Sequence, residues 1–367
     1  MSPRVLVDLR VGHTTERTGL ARAAWSLTDA LIARGRGTYL LAGARAPEAP
    51  ATPHGVALPF DIPVGDHGRG ETWMAALAAL YEADAILSTY HPLPPAPGPR
   101  VLTIHDLLPL RHPEWFADAR VTRFFDVTLR DSARRADRVV VDTEVVRGDV
   151  IELFGVAEER VAVVPLAPVL PAPGAGGEAA HEARVRALGV DEPFLLSVAT
   201  LEPRKNLVRL VRAYALAASR AADEWPALVI AGRLGWKWRE ILDASASTAG
   251  VHVTGYVDDG TLASLYRRAL AFAYPSLDEG FGLPVLEAMA CGCPVLTSDV
   301  PVLREVAGGA AHLIDPLDIE SLATGLETLA GDEGLRASLA RRGLTRAAQF
   351  SWAKTAAGVE EVIASVM

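Results

Sequence analysis

Two glutamates and the turn-forming residues around them carry the strongest chemical signal in this chain. Glu279 and Glu287 have seven residues between them, and Gly280 and Gly282 follow the first of the two. Glycines let a backbone come close to a ligand. Pro284 opens a helix, because the N–H that proline lacks would have no helical partner in the first turn. The free N–H groups of a helix start attract an anion. The segment therefore predicts a site for a ligand with phosphate at one end and hydroxyls at the other, as in a nucleotide sugar.

The flanking elements separate this interpretation from a plainer one. A solvated loop followed by an amphipathic helix with an exposed Glu287 would also explain two glutamates at this spacing. Here an apolar run at 271–274 precedes the loop, Gly292 ends the helix, and another strand begins near Val295. This strand, loop, helix and strand succession favours the binding site.

A second segment carries two cations. The apolar run 194–198 leads to Arg204 and Lys205, and Asn206 is expected to cap the helix that follows. Cations at the carboxyl end of a strand and beside a helix start are typical of an anion site. Two solvated loop cations are the alternative interpretation, which the neighbouring glutamate segment makes less attractive.

Weaker signals follow three other apolar runs. Gly232 and the pair Gly255 and Tyr256 each come after a predicted strand, where they would allow close backbone approach to a ligand or form ordinary strand-to-helix turns. His105 also follows a strand, either as a ligand contact or as a structural histidine. Asp106 is expected to orient His105 or to cap the next turn.

The elements that must position these residues alternate along the whole chain. Short apolar runs alternate with segments of helical periodicity, which predicts an α/β fold with parallel sheets and helices on both faces. Strands are expected at 4–9, 38–42, 85–88, 101–104, 139–141, 161–164, 194–198, 228–231, 251–254, 270–273, 295–298 and 311–314. Helices are expected at 19–34, 71–82, 118–135, 145–154 and 353–366.

A proline- and glycine-rich stretch divides the two halves. Residues 165–177 hold four prolines and three glycines, a composition that sustains neither helix nor sheet. We therefore expect an N-terminal domain at 1–170, a linker at 171–187 and a C-terminal domain at 188–350. Open parallel sheets bind ligands at the carboxyl ends of their strands, so two such domains are expected to face one another across a cleft.

Composition excludes several other classes of protein. The 367 residues suffice for two domains, and the formal net charge of -9 offers no basic face for nucleic acid. The two cysteines, Cys291 and Cys293, lack the spacing of a zinc site or a structural disulfide. The chain starts in a strand without a signal peptide and has no membrane-spanning run, so a cytoplasmic location is expected.

The segment from Glu279 to Glu287 closely resembles the donor-site motif of retaining glycosyltransferases of family 4, which have the GT-B fold of two Rossmann-like domains. The resemblance is sharp over residues 195–315. It implies that the C-terminal domain binds the nucleotide sugar and that the final segment, 351–367, packs back on the N-terminal domain. It assigns catalysis to His105, Glu279, Lys205 and Arg204. It assigns donor binding to Glu287, Gly280, Phe281, Gly282, Leu283, Gly232, Gly255, Tyr256, Gly19 and Arg22.

The family also implies a role for each charged group. Glu287 would accept hydrogen bonds from the ribose hydroxyls, and Glu279 would hold the transferred sugar. Arg204 and Lys205 would stabilise the departing diphosphate, and His105 would contact the donor sugar. The turn at Gly19 and Arg22 would face the diphosphate, although Ala21 replaces the second glycine of the family's motif.

The expected reaction is sugar transfer with retention, without a cofactor and without a metal, since no Asp-x-Asp ends a strand. The resemblance to the bacterial mannosyltransferase-like branch favours GDP-mannose, with a UDP-sugar or dTDP-rhamnose as alternatives. The acceptor would be a glycan, a lipid-linked or a small-molecule hydroxyl, as in polysaccharide biosynthesis. A sugar-nucleotide epimerase of the same fold and a catalytically silent binding subunit are the alternatives of other classes.

Peripheral membrane contact is a further hypothesis. It rests on a run of arginines beside two aromatic residues, a composition that can hold a protein to anionic headgroups. These residues are Arg120, Arg123, Phe124, Phe125, Arg130, Arg134, Arg135 and Arg138. A solvated helix is the alternative interpretation.

Overall fold

The computed structural model describes residues 2–10, 19–43, 52–58, 67–90, 92–116, 118–170, 177–189, 193–222 and 224–367. The chain forms two compact units. The first, called the N-terminal unit, contains Met1–Ala167 together with Phe350–Met367. The second, called the C-terminal unit, contains Pro168–Gln349.

Seven described strands form the sheet of the N-terminal unit, and every pair in it is parallel. Their order is β3-β2-β1-β4-β5-β6-β7. The chain therefore winds outward from β1 to β3, then crosses back beside β1 and winds outward the other way. The strands are β1 Arg4–Asp8, β2 Thr38–Ala42, β3 Gly55–Ala57, β4 Ala85–Ser88, β5 Arg100–Ile104, β6 Arg138–Val141 and β7 Val161–Val163.

The C-terminal unit repeats this topology with six described strands, again all parallel, in the order β10-β9-β8-β11-β12-β13. Both sheets thus have the doubly wound order of a Rossmann fold, in which the strand order reverses beside the first strand. The strands are β8 Phe194–Val198, β9 Ala227–Ala231, β10 Val251–Gly255, β11 Ala271–Tyr274, β12 Val295–Ser298 and β13 His312–Ile314. The expected α/β fold with two parallel sheets is confirmed.

Helices connect the strands, as parallel pairing requires. They are α1 Gly19–Arg34, α2 His67–Leu80, α3 Leu108–Arg111, α4 Ala119–Arg123, α5 Arg130–Arg135, α6 Glu144–Phe154, α7 Glu178–Ala187, α8 Leu207–Arg220, α9 Arg239–Ala246, α10 Asp259–Arg268, α11 Leu283–Ala290, α12 Pro301–Ala307, α13 Ile319–Gly331, α14 Glu333–Ala347 and α15 Trp352–Ala364.

The last helix, α15, belongs to the N-terminal unit. Its apolar residues join the core that α1 forms on one face of the sheet, where Leu31 and Val359 are both buried. At the far end of α1, Arg34 Nε donates to Glu360 at 2.8 Å and the Tyr39 hydroxyl donates to the same carboxylate at 2.9 Å. This packing fixes the carboxyl-terminal segment to the first Rossmann unit by both apolar burial and paired charge.

Two short elements depart from the sequence-based prediction. The strand β3 was not expected, because three residues are too few to show an alternating pattern; it exists through its pairing with β2. The predicted linker at 171–187 contains the helix α7. Its alanine, glutamate and arginine residues favour a helix, and α7 packs against α10 with an ion pair from Arg184 to Asp258 at 2.8 Å. Residues 171–176 lie outside the described part of the chain.

The arginine-rich segment is helical from α4 to α5, with a π-helical stretch at Phe124–Leu129 between them, and its last arginine, Arg138, begins β6. The rings of Phe124 and Phe125 are partly buried and pack against the core of the N-terminal unit. Three of the arginines pair with aspartates close by in sequence: Arg120 with Asp118, Arg130 with Asp126 and Arg135 with Asp131. None of the described helices is long and apolar enough to cross a lipid bilayer. Membrane contact stays a prediction.

We predict that Gly232→Ala destabilises the C-terminal unit by more than about 2 kcal/mol. Gly232 follows β9 with a φ of 151°, and a Cβ there would lie 1.8 Å from the carbonyl oxygen of Ala199. Gly331→Ala is the matched control, because a Cβ at that end of α13 meets no atom within 4 Å. Urea unfolding followed by circular dichroism measures both. Equal midpoints for the two variants would show that β9 can move away from Ala199 at no cost.

Candidate donor site

The predicted anion-binding residues meet at the carboxyl edge of the C-terminal sheet, where the strand order reverses. The loop after β8 carries Arg204 and Lys205, and the loop after the neighbouring strand β11 carries Glu279. A backbone hydrogen bond of 2.9 Å from Leu277 N to Arg204 O joins the two loops. In open parallel sheets this reversal leaves a crevice for ligands. The structure therefore brings residues more than 70 positions apart in the chain to the place where a ligand is expected.

Glu279 is the centre of a dense polar network. Its Oε1 accepts hydrogen bonds from Lys205 Nζ at 2.5 Å, Ser276 Oγ at 2.6 Å and the Tyr274 hydroxyl at 2.7 Å. Its Oε2 accepts from Arg204 Nη1 at 2.5 Å. Lys205 Nζ also donates to the Tyr274 hydroxyl at 2.8 Å, so that the tyrosine links the cation to the carboxylate. Charge-assisted bonds of this kind are strong and directional.

Burial makes these charges depend on one another. Glu279 and Lys205 are each 8% exposed. Burial acts to raise the pKa of Glu279, but attraction by Arg204 and Lys205 outweighs it and lowers that pKa to about 2. Glu279 is therefore an ion-paired carboxylate at neutral pH and a weak base.

Glu202 is a buried member of this cluster that sequence reasoning missed. Its Oε1 accepts from Arg204 Nε at 2.9 Å, so Arg204 lies between two carboxylates. Burial raises the pKa of Glu202, and the negative charge of Glu279 adds to that effect. Glu202, Tyr274 and Ser276 all lie within or beside the segments that the sequence singled out, but no spacing rule distinguishes them from packing residues.

Glu287 lies one turn into α11, where the structure buries it to 3% exposure. Gly282 precedes that helix with a φ of 95°, a left-handed conformation that favours glycine. Gly280, Phe281 and Leu283 form the rest of the turn from Glu279 into α11 and are buried or half-buried. The two predicted carboxylates thus lie on one continuous loop and helix start, and neither is the exposed residue of the plainer interpretation.

The glycines after β9 and β10 lie along the same sheet edge. Gly232 N donates to Gly255 O at 2.9 Å, and Gly255 has a φ of 74°. Tyr256 follows with half of its side chain exposed. Because β9 lies between β8 and β10, these residues extend the edge that carries Arg204 away from Glu279.

The prediction that the Asn206 side chain caps α8 is wrong. It occupies the N-cap position of α8, but its side chain accepts no capping hydrogen bond. Its Nδ2 instead donates to the carbonyl oxygens of Pro275 at 3.0 Å and Pro316 at 2.7 Å. Asn206 adopts a left-handed conformation, with a φ of 60°, which asparagine tolerates better than most residues. Its side chain thereby ties the loop after β8 to the loop after β11.

In the N-terminal unit, His105 follows β5 and is held by two neighbouring strand ends. Its Nδ1 lies 2.7 Å from Asp142 Oδ2 after β6, and its Nε2 lies 3.0 Å from the carbonyl oxygen of Thr89 after β4. Asp106 Oδ1 accepts a hydrogen bond from Leu108 N at 3.1 Å and so caps the next turn. Asp142 was missed; a carboxylate directly after a buried strand was the available signal.

The other predicted residues of the N-terminal unit, Gly19 and Arg22, lie in the first turn of α1. Gly19 is the first residue of α1, and a Cβ there would meet no atom within 4 Å. Arg22 is half-buried one turn later. The loop that precedes them, residues 11–18, lies outside the described residues, and so their relation to a diphosphate stays a prediction.

Two further observations concern metal and thiol chemistry. Within the described ranges, no group of three or more histidine, cysteine, aspartate and glutamate side chains could hold a metal ion. Cys291 and Cys293 are both free. Burial raises the pKa of Cys291 to about 11 and raises that of Cys293 further, so both are uncharged thiols at neutral pH.

We predict that the Glu279 network makes stability fall in acid. The pKa of Glu279 lies below its ordinary 4.5 in the folded chain, so its contribution is complete above pH 4.5 and is lost as pH falls towards 2. The loss should be on the order of 3 kcal/mol. In Glu279→Gln this part of the acid loss should disappear from urea midpoints measured across that window. Glu202→Gln is the control, since its raised pKa contributes with the opposite sign. An unchanged acid loss in Glu279→Gln would show that other carboxylates cause it.

Comparison with known proteins assigns a family to each of the two units. The model of Glycosyltransferase Family 4 matches residues 17–167, and the model of Glycosyl transferases group 1 matches residues 180–346. The chain is 33% identical to O-antigen chain mannosyltransferase B of Escherichia coli over 263 residues, which are 69% of this chain and 66% of that protein. It is 34% identical to D-inositol 3-phosphate glycosyltransferase of Salinispora arenicola over 246 residues, 62% of this chain and 54% of that protein.

The chain thus spans about two thirds of the length of the first of these relatives and about half of the second. Among solved structures, sucrose-phosphate synthase of Thermosynechococcus elongatus superposes with a TM-score of 0.75 at 20% identity, over 100% of this chain and 99% of that one. That likeness concerns the fold, which it matches along the whole length. With one family model on each Rossmann unit, the chain belongs to the family 4 glycosyltransferases of the GT-B fold.

Proposed function

We propose that this chain transfers a sugar, with retention of configuration, from a nucleotide-sugar donor to an acceptor hydroxyl, and that GDP-mannose is the donor. The observation that carries the proposal is the pairing of Arg204 and Lys205 with Glu279 at the edge between β8 and β11. Two fixed cations can bind a diphosphate, and the carboxylate of Glu279 beside them can accept hydrogen bonds from sugar hydroxyls. Together they suit a diphosphate joined to a hexose.

The charge balance of this cluster defines what each group contributes. Arg204 and Lys205 are compensated by Glu279 and Glu202 before any ligand binds. A diphosphate brings further negative charge, which grows at the leaving oxygen as the sugar departs. Cations already held in place stabilise that charge without reorganisation, and loss of one such group costs about 10²–10³ in rate.

The same geometry favours transfer without a protein base. Glu279 has a low pKa and four hydrogen bonds, so it is poorly suited to take a proton from the acceptor. We infer that the leaving diphosphate accepts that proton on the face where the acceptor attacks. Fixed cations and the start of α11 would take the part that a divalent ion plays elsewhere, so activity is expected without metal.

The identity of the donor and acceptor rests on the relatives. A relative named as an O-antigen chain mannosyltransferase supports GDP-mannose and a glycan or lipid-linked acceptor. A relative named as an inositol phosphate glycosyltransferase keeps a small-molecule acceptor and other donors open, including a UDP-sugar or dTDP-rhamnose. Donor turnover without an acceptor product would indicate an epimerase, and absence of turnover a silent binding subunit. A cytoplasmic location, with or without membrane contact, remains part of the proposal.

The donor base is tested by a thermal-shift panel with GDP, UDP, dTDP and ADP. We expect GDP to raise the melting temperature most, because a ligand that binds only the folded state stabilises it by mass action. Transfer or hydrolysis of GDP-mannose should then persist after treatment with EDTA. A larger shift with UDP or dTDP would replace the donor assignment, and loss of turnover that added Mg²⁺ restores would contradict metal independence.

We predict that three substitutions separate donor binding from transfer. Lys205→Ala should lower the transfer rate by about 10²–10³ and diphosphate affinity by less, because its charge matters most as the leaving group departs. Glu287→Gln should weaken GDP itself through the ribose hydroxyls. Glu279→Gln should abolish most transfer while GDP binds as well as in the wild type or more tightly, since its removal frees the two cations.

Calorimetric GDP binding and initial transfer rates measure all three variants. Lys354→Ala, an exposed lysine on α15, is the control for loss of a positive charge. If Glu279→Gln weakens GDP as much as Glu287→Gln does, the assignment of the two carboxylates is wrong.

A further inference from the structure

The two ring nitrogens of His105 both face hydrogen-bond acceptors. Asp142 Oδ2 lies 2.7 Å from Nδ1, and the carbonyl oxygen of Thr89 lies 3.0 Å from Nε2. A carbonyl oxygen only accepts, so Nε2 must carry a proton. A neutral imidazole then has no second proton for Nδ1, whereas an imidazolium donates from both nitrogens. The geometry is thus complete when a proton also lies between Nδ1 and Asp142.

Because Asp142 is buried, this shared proton compensates its charge and holds the His105 ring in place. Asp142 is 1% exposed, and its other oxygen, Oδ1, has no hydrogen-bond partner among the residues that the structure describes. A buried carboxylate without a charged partner is costly. His105 is therefore the group that compensates Asp142, and Asp142 is the carboxylate that holds the imidazolium. Burial raises the pKa of Asp142, and attraction by His105 opposes that effect. The ordinary pKa of histidine exceeds that of aspartate by more than about two units, which favours the proton on the nitrogen.

The surroundings of the ring add no competing cation within the described residues. From its own loop, Asp106 adds a second negative charge nearby. After β4, Tyr90 is a half-buried phenol whose pKa is raised by burial and by Asp106, so it stays neutral. The side chains that α1 and α15 contribute around the ring, among them Ala24, Leu27 and Val359, do not titrate.

These contributions act together on His105. Burial acts to lower the pKa of the ring, but Asp142, the Thr89 carbonyl and Asp106 outweigh it, so the pKa lies above its ordinary value. The direction agrees with the hydrogen-bond geometry, which stands without it.

We propose that His105 is a fixed imidazolium at the carboxyl edge of the N-terminal sheet and that Asp142 is the positioning residue that keeps it protonated and in place. Both N–H groups are used inside the protein, so the ring is neither a general base nor a free donor. It contributes a constant positive charge at an edge where parallel sheets bind ligands. The role in transfer rests on the proposed function; the protonation state does not.

Histidine side-chain NMR of the ¹⁵N-labelled full chain tests the protonation state without any substrate. The His105 signals are identified by their loss in His105→Gln. We expect both ring nitrogens of the wild type to carry protons from about pH 6 to about pH 8. In Asp142→Asn one ring nitrogen should lose its proton within that range, because the compensating charge is gone. Asp106→Asn, which removes a nearby carboxylate that is not bonded to the ring, should keep both.

A wild-type ring with one unprotonated nitrogen at about pH 7 would overturn the proposal, as would an unchanged titration in Asp142→Asn. If Asp142→Asn does not fold, the wild-type titration alone decides the protonation state, and Asp142→Glu, which keeps the charge, tests the positioning.

The catalytic consequence is a separate measurement with GDP-mannose as the probe. The transfer rate of Asp142→Asn should decline as pH rises through the new titration of His105, while the wild-type rate stays level there. A level profile in a variant whose ring does lose its proton would overturn the role of the charge. Absence of transfer in the wild type would instead count against the proposed function and leave the imidazolium intact.

Discussion

The ion pairing of Glu279 with Arg204 and Lys205 is the interaction on which the C-terminal site depends. It joins the loops that follow the neighbouring strands β8 and β11, at the point where the strand order of the sheet reverses. Three buried or nearly buried charges are stable there because each has a partner of opposite sign at hydrogen-bond distance. Removing Glu279 would break the ion pairs of both cations with it, although Arg204 would keep its ion pair with Glu202.

This pairing also means that the site is built before a ligand arrives. Tyr274 and Ser276 donate to the same Glu279 oxygen as Lys205, and the Asn206 side chain ties the loop after β8 to Pro275. A site whose charges are already oriented pays little reorganisation when the reaction develops charge. Occupied by its own glutamate, however, the cation pair must share its hydrogen bonds with any diphosphate that enters.

The N-terminal unit uses a related solution with a different residue. His105 is placed by contacts to the ends of β4 and β6, on either side of its own strand. In both units a buried carboxylate at a strand's carboxyl end stabilises a cation at the end of a neighbouring strand. A doubly wound sheet allows this arrangement because its strands are parallel, so that all of their carboxyl ends lie along the same side of the sheet.

The sequence by itself determined the elements and the residue types that follow them. Apolar runs bounded by proline and glycine predicted the α/β succession, and Gly282, Pro284 and Gly292 bracketed the helix that carries Glu287 to within a residue or two. It did not show which residues form hydrogen bonds with one another: Glu279 and Arg204 are 75 residues apart, and His105 and Asp142 are 37 apart. Nor did it show that the Asn206 side chain reaches Pro316 and leaves its own helix uncapped. Propensity and turn chemistry act between near neighbours in the chain, whereas these hydrogen bonds exist only after non-local packing has fixed the order of the strands, and so only the tertiary structure decided them.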